Sequence, residues 1–378
     1  MKNFIIISIL LIISLSTVFA GGTSEPPEAT EDEYRTVVDD RGVSVRIKKD
    51  ASAIATFPLP HPHIIAAIDG GVDRIIGASS MSVSAAKVSV FGKIHPELLD
   101  VETSYLNGHT LNVEELARIE PDVFFTDTVL EGMDNLEETG IPVVYLGLKK
   151  ETLSYKGGSS EVYSPKVTME NWVEITAQVL GKNESAASEI ADVWRSVEEE
   201  IADKISSHPE IERQKVLILF KTKALSVAGE GSFGHYWIAR TGGINAADEV
   251  KGKHPAMTKI GNFEDIMKWN PDVVYLSNFE NTMPDDLYDN RIEGQDWSGI
   301  TAVADKRVYR IPLGIYRWYP PSLDGPLMLK WMAQKNYPEL FDYDMSVEIK
   351  EYFSRFHHYE LSDDEVEAIL TPASSGTL

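Results

Sequence analysis

The amino-acid sequence predicts an α/β protein of two Rossmann-like lobes, bridged by one long rigid helix, with a ligand cleft between the lobes. Three observations carry this expectation. A helix-to-strand signature occurs twice, strand-like and helix-like segments alternate in both halves, and a single amphipathic stretch separates the halves.

The signature runs Asn112-Val113-Glu114-Glu115-Leu116-Ala117-Arg118-Ile119-Glu120-Pro121-Asp122-Val123-Phe124. It returns as Asn262-Phe263-Glu264-Asp265-Ile266-Met267-Lys268-Trp269-Asn270-Pro271-Asp272-Val273-Val274. In both copies Asn caps the first orphan amides and the acids sit at the positive end of the helix dipole. Leu116 with Ile119, and Ile266 with Trp269, share one apolar face. Proline then ends the helix and releases the chain into a strand, Val123–Thr126 or Val273–Leu276.

A chain of 378 residues that is 43% hydrophobic and 25% charged is globular and long enough for about two domains. Its 35 basic and 59 acidic residues leave a net charge of −24, which argues against nucleic acid or an anionic membrane surface as partner. Lys2, the apolar run Phe4–Leu15 and the small residues around Ala20 read as a secretory signal cleaved before Gly21. No cysteine follows, so a lipid anchor and disulfides are not expected, and no later apolar run is long enough to span a bilayer. The expectation is a soluble, exported, periplasmic protein.

After the signal, 1–20, the polar segment 21–33 reads as a tether. An N-terminal lobe is expected over 34–182. It opens with a hairpin over Thr36–Ile47 and a strand Ile54–Phe57, then Pro58-Leu59-Pro60-His61-Pro62-His63 as a loop, a helix Ile64–Ile68 and a strand Ile75–Gly77. Ala78–Thr110 reads as irregular. A helix around Leu130–Thr139 and a strand Val143–Leu146 follow the first signature, and a helix through Met169, Trp172, Val173, Thr176 and Leu180 stops at Gly181. Ile190, Val193, Trp194, Val197, Ile201 and Ile205 mark the connecting helix, 183–208.

The C-terminal lobe, 209–341, is expected to contain strands Val216–Phe220, Leu225–Val227 and Val308–Ile311, with helices at His235–Arg240 and Leu323–Gln334. Helices at Val347–His357 and Asp363–Leu370 form an appendage, 342–378, with a frayed end from Thr371. In such parallel sheets ligands bind beyond the carboxyl ends of the strands. The loops after Phe57, Gly77, Thr126 and Leu146 are therefore of interest.

The export signal, the early Asp-containing hairpin, the paired Asn-x-Glu…Pro-Asp unit, the long helix and Trp297…Ala302-Val303…Arg307-Val308-Tyr309 resemble one family over Thr36–Phe341. It comprises the helical-backbone substrate-binding proteins of ABC importers for iron–siderophores, haem and cobalamin. The resemblance implies two lobes on a rigid helix and a shallow cleft with little closure. It also implies one exposed glutamate per lobe, mapping to Glu114 and Glu264, that docks onto arginines of the membrane permease with its cytoplasmic ATPase. The same two acids are also explained as helix-start residues stabilised by the dipole.

The implied function is capture of a metal chelate, iron–siderophore foremost, with haem, cobalamin or a nickel chelate as variants, by a monomer that needs no cofactor. His61 and His63 flank Pro62 and are the candidates to meet an anionic chelate, or a metal directly if any residue does; exposed histidines at a capped helix start are the other reading. His109 is a further candidate, and His95 reads as surface. In the second lobe Tyr316, Arg317 and Trp318 suit a flat, negatively charged chelate, against an aromatic core patch as the alternative. Tyr236 or Trp237, Lys221, Lys223, Ser277 and Asn278 rank behind Arg317.

No nucleophile elbow, phosphate-cradling glycine loop or His-Glu-x-x-His helix occurs, so an enzyme is not expected. The rival within binding is a bare Zn²⁺ or Mn²⁺ ion, which the Arg-centred second lobe disfavours. A sensor domain shares the architecture and stays open.

Overall fold

The computed structural model describes residues 33–182 and 185–373, with the side chains of 185–188 excepted. The export signal, all but the last residue of the tether and the end of the C-terminal tail lie outside the described residues. Besides three two-stranded ribbons, two larger sheets form among the described residues, one before and one after a long helix in the chain.

The first lobe begins with the antiparallel hairpin β1 (Tyr34–Val38) and β2 (Ser44–Lys48). Its turn is closed by Asp39, whose carboxylate accepts the N–H groups of Arg41 and Val43 at 2.9 and 3.0 Å. Next come β3 (Ile54–Thr56), α1 (His61–Asp69), β4 (Ile75–Ala78), α2 (Ser80–Lys87), α3 (Phe91–Ile94), the ribbon β5 (Leu106–Asn107) and β6 (Thr110–Leu111), α4 (Val113–Arg118), β7 (Val123–Thr126) and β8 (Val143–Tyr145). Strands β4-β3-β7-β8 form a wholly parallel sheet. The hairpin β9 (Lys150–Tyr155) and β10 (Gly158–Tyr163) and the helix α5 (Pro165–Leu180) lead to the bridge, α6 (Ser185–Ser206).

In the second lobe the chain forms β11 (Lys215–Lys221), β12 (Ser226–Val227), α7 (Phe233–Arg240), β13 (Ile244–Asn245), β14 (Thr258–Lys259), α8 (Glu264–Trp269), β15 (Val273–Leu276), α9 (Pro284–Tyr288), α10 (Thr301–Ala304), β16 (Val308–Arg310) and α11 (Gly325–Asn336). The sheet order is β14-β12-β11-β15-β16, with β11, β15 and β16 parallel and β13 pairing the start of β11. The appendage is α12 (Met345–His357) and α13 (Asp363–Leu370).

The repeated signature folds alike in both lobes. Asn112 Oδ1 accepts the Glu115 N–H at 3.1 Å, and Asn262 Oδ1 accepts that of Asp265 at 3.1 Å. The residue before each proline is left-handed, Glu120 at φ 49 and Asn270 at φ 42. The following Asp has a role that its position after proline does not announce. Asp122 Oδ2 accepts the N–H groups of Ser52 and Ala53, while its own N–H donates to Ala53 O; Asp272 does the same with Lys215 at the start of β11. Each Pro-Asp therefore ties the central strand of its sheet to a neighbour.

Several local expectations need correction. The helix expected around Leu130–Thr139 is two short 3₁₀ turns, Met133–Asn135 and Glu137–Thr139, because between Gly132 and Gly140 only Leu136 is buried and no apolar stripe exists. Ala78–Thr110, read as irregular, holds α2, α3 and a 3₁₀ turn at Pro96–Asp100. The hairpin β9–β10 was not expected; Lys156 and Gly157 turn it with φ of 50 and 74, the left-handed pair of a tight hairpin. Finally α1 begins at His61, not Ile64, since proline is tolerated in a first helical turn.

Three structures besides the chain itself tie the lobes together. The 22 residues of α6 extend over about 33 Å. The hairpin β9–β10 reaches the second lobe, where the Tyr155 hydroxyl accepts the Asn245 N–H at 2.8 Å and Glu151 pairs with Arg240 at 2.6 Å. The appendage braces α11 through Lys330–Glu348 at 2.6 Å and meets the first lobe through Lys93–Glu365 at 3.0 Å. On α6, Trp194 stacks on Trp237 with ring centres 5.8 Å apart and faces Gly325, where a Cβ would lie 1.9 Å from the indole. Gly325→Ala is expected to lower the unfolding free energy by about 1–3 kcal/mol through overpacking, read as a lower urea midpoint; an unchanged midpoint would refute this packing.

Candidate functional site

The carboxyl ends of the parallel strands in the two sheets converge where α1 and α3 of the first lobe meet the loop after β16. Val90 N–H donates to Gly314 O at 3.4 Å, and Leu323 N–H donates to His63 Nε2 at 3.4 Å. His63 also stacks on Tyr316, with centres 5.7 Å apart and planes 27° from parallel. Because Nε2 accepts a backbone N–H, the ring proton of neutral His63 sits on Nδ1, which has no protein partner among the described residues. Burial, with His357 and His61 nearby, holds this imidazole well below its ordinary pKa and therefore neutral.

From the first lobe, Asp127 follows β7 at a turn in which Thr126 Oγ1 donates to Thr128 O at 2.7 Å. Its half-buried carboxyl has no hydrogen bond or ion pair to another described residue. The enclosing protein desolvates it and pushes its pKa up to about 6. Its charge is felt by Tyr316 across the cleft and by Tyr145 at the end of β8. Phe57, just after β3, carries the exposed His109 edge-on at 5.3 Å, and His109 in turn depresses the pKa of His254 in the second lobe, where burial is the larger cause.

The second lobe contributes cationic groups. Arg317 is fully buried, donates through Nη1 to the carbonyl and side-chain oxygens of Asn278, and packs over Phe279 at 4.8 Å. Asn278 is fixed by donating to the Ile311 and Pro312 carbonyls at 3.1 and 3.0 Å. Arg310, at the end of β16 and 5% exposed, donates through Nη1 to the Glu280 and Thr282 carbonyls, while Nε and Nη2 have no partner among the described residues. Burial first, then the charge of Arg317, lower its pKa to about 10. The Tyr316 hydroxyl is likewise buried without an acceptor.

These placements sort the expected residues. Tyr316 and Arg317 stand together at the lobe junction, His63 joins them, and His109 lies on the exposed rim. His61 does not pair with His63. Both sit in the first turn of α1, and residues two apart on a helix point in different directions. His61 faces inward, with Nδ1 2.7 Å from Thr56 Oγ1 and Nε2 2.9 Å from Thr176 Oγ1, so neither nitrogen is left for a ligand. Trp318 is core, donating to Asp324 Oδ2 at 2.9 Å. Tyr236 is also core: it accepts from Trp194 at 2.9 Å and donates to Glu198 at 2.5 Å beneath the bridging helix. Ser277 donates to Phe220 O and Lys221 to Phe279 O, both at 2.7 Å, so they shape the loops.

Sequence reasoning missed Arg310, Phe279 and His254, and it flagged the loop after Thr126 without naming Asp127. A separate cavity of 410 Å³ lies between β9, α6 and α7, but its Arg240 and Glu198 already pair with each other at 3.3 Å. Glu114 and Glu264 are exposed and unpaired among the described residues, whereas their neighbours Glu115 and Asp265 are held by Arg118 at 2.8 Å and Lys268 at 3.6 Å.

Two parallel-sheet lobes held apart by a stiff helix, with unpaired donors at the junction, define a protein that carries a ligand in a cleft between the lobes. The chain belongs to the periplasmic binding protein family, whose model matches residues 65–313. Such proteins are substrate-binding components of ABC transporters, not enzymes. A periplasmic solute binding protein from Veillonella parvula is similar at 34% identity and a TM-score of 0.77, covering 89% of this chain and 97% of that one. The molybdate-binding protein MolA of Haemophilus influenzae is 24% identical over 68% of this chain and 72% of its own. The structure of MolA bound to molybdate aligns with a TM-score of 0.69 at 20% identity, over 87% of this chain and 99% of that one. A nickel–histidine complex of Helicobacter pylori CeuE aligns at 0.65 and 21%, over 89% and 99%.

His61 makes a signed pH prediction. Burial lowers its folded pKa from 6.5 to about 3, so between these values the unfolded chain binds the extra proton and stability falls as pH falls. Urea unfolding at pH 7, 6 and 5 is expected to show His61→Gln losing its share of that slope, at most about 1.4 kcal/mol per pH unit. Parallel slopes for the two proteins would contradict the buried neutral state.

Proposed function

We propose that this protein captures a small anionic ligand between its lobes, an oxyanion of the molybdate kind, and delivers it to a membrane permease. The observation that carries this reading is the cluster of donors around Arg317. The partnerless Arg310 Nε and Nη2, the Tyr316 hydroxyl and the proton on His63 Nδ1 all lack an acceptor that a compact anion supplies. Buried guanidiniums strengthen each such bond, because the low local dielectric screens little. MolA, whose structure holds molybdate, supports the same ligand class. A bare metal ion is disfavoured by two neighbouring guanidiniums, and among the described residues no three His, Cys, Asp or Glu stand together as a metal set.

A second reading, an anionic metal chelate such as an iron–siderophore or nickel complex, has one observation in its favour. His109 and His254, from opposite lobes, are near enough for the charge of His109 to lower the pKa of His254 after burial, and a metal with open coordination sites would accept such imidazoles. Tryptophan-fluorescence titration separates the two: molybdate and tungstate against ferric siderophores, haemin and nickel–histidine. Arg317→Ala is expected to weaken oxyanion binding at least about 100-fold, the scale of a lost charge-assisted pair. Tight binding of a ferric siderophore with no response to molybdate would overturn the oxyanion reading.

Delivery uses Glu114 and Glu264, the exposed acids at equivalent positions of α4 and α8. Glu114→Ala combined with Glu264→Ala is expected to abolish uptake in cells while affinity for the ligand stays the same. An equal loss of affinity would refute docking as their role.

A further inference from the structure

The appendage α12–α13 has a reach that its brace on α11 does not account for. It touches the loop after β16, the segment that carries Tyr316 and Arg317, at both ends and in the middle. Where that loop begins, the Leu313 N–H donates to Ile369 O in the last turn of α13 at 3.1 Å. Where it ends, the Tyr352 hydroxyl of α12 donates to the Leu323 carbonyl. The Leu323 N–H donates in turn to His63 Nε2 at 3.4 Å, so this one residue joins α12 to the first lobe.

Next to Leu323 stands a fully buried carboxylate, Asp324, with which no lysine or arginine pairs among the described residues. Its Oδ2 accepts the Ile315 N–H at 2.7 Å and the Trp318 Nε1–H at 2.9 Å, and these two residues bracket Tyr316 and Arg317. Gly314 packs so closely that a Cβ there would lie 2.3 Å from the same oxygen. The other oxygen, Oδ1, faces Nε2 of His357, the last residue of α12, at 3.4 Å. The His357 ring is itself only 5% exposed and packs on Phe353, with ring centres 4.8 Å apart. A carboxylate taken out of water needs donors for its oxygens, and among the described residues His357 alone donates to Oδ1. We infer that His357, acting through Asp324, is a positioning residue of the cleft: it fixes the Ile315–Trp318 loop in the form that presents Tyr316 and Arg317, so that the appendage is part of the binding site as well as a brace. This rests on the reading above that the loop meets the ligand. Without His357, Oδ1 is left buried and unmet, and a carboxylate that turns to find another donor loosens its hold on Ile315 or Trp318. Binding must then order the loop again, at a cost in affinity.

The test uses the full chain, first without ligand and then with molybdate. The indole N–H signal of Trp318, identified in a nitrogen–proton correlation spectrum by its loss in Trp318→Phe, reads the bond to Asp324. It is expected to shift in His357→Leu, which keeps apolar contact with Phe353 and removes the donor, and to return in His357→Gln, whose amide restores a donor. In titration calorimetry His357→Leu is expected to bind molybdate about tenfold more weakly, the lower end for a lost bond to a charged group, and His357→Gln to recover most of that loss. An unmoved Trp318 signal in His357→Leu would overturn the inference, whether or not molybdate binds. A shifted signal with unchanged molybdate affinity would also overturn it and leave the oxyanion reading standing. So would a loss of affinity that glutamine does not restore, since it would assign the effect to the packing of the ring. Failure of the unmodified chain to bind molybdate would remove the oxyanion reading alone, and a Trp318 shift reversed by glutamine would still support the positioning role.

Discussion

The architecture depends on how α6 is anchored at its middle. Trp194 stacks on Trp237 and donates to Tyr236, whose hydroxyl donates in turn to Glu198 one helical turn along α6. Lys166 of α5 and Arg240 of α7 both pair with that carboxylate, at 3.6 and 3.3 Å. One buried carboxylate thus gathers the last helix of the first lobe, the bridge and the first helix of the second. A buried charge compensated from both sides is costly to separate, because pulling either lobe away leaves it unpaired. That constraint, more than the length of the helix, resists wide opening, and the β9–β10 hairpin and the α12–α13 appendage add their own ties.

A rigid frame changes what the cleft has to provide. In such a frame the groups proposed to meet the ligand are held in place by bonds to loops at the strand ends. Asn278 fixes Arg317, and the Glu280 and Thr282 carbonyls fix Arg310. Leaving donors buried without acceptors costs stability in the empty protein, and an arriving acceptor recovers that cost. The protein as a whole is strongly acidic, at −24, so the anionic ligand proposed above would approach against the long-range field and be held by local charge. An acidic surface with a cationic centre favours a ligand small enough to leave solvent almost entirely.

Much of this was legible in the chain. The doubled signature, the connecting helix and the alternation of strands with helices along the chain follow from short-range chemistry: an Asn cap, a proline stop, and apolar residues at helical or strand spacing. His61 and His63 were legible as residues but not as a geometry. Whether they converge depends on whether Pro62 sits in a loop or in a first helical turn, and proline is compatible with both. Tyr236 and Trp318 carry the same ambiguity, since a large aromatic with one polar atom suits a core with a partner as well as a cleft. Asp127 gave no signal beyond its place after a strand.

By itself the sequence determined two α/β units, the stiff rod between them and the paired exposed acids, because each is written in residues close together along the chain. Only the tertiary structure decided which side chains share the junction. His63 comes from the first lobe and Arg310, Tyr316 and Arg317 from one stretch of the second, and the neutral state of His63 and the unmet hydrogen bonds of Arg310 and Tyr316 are set by burial among neighbours that no local pattern encodes.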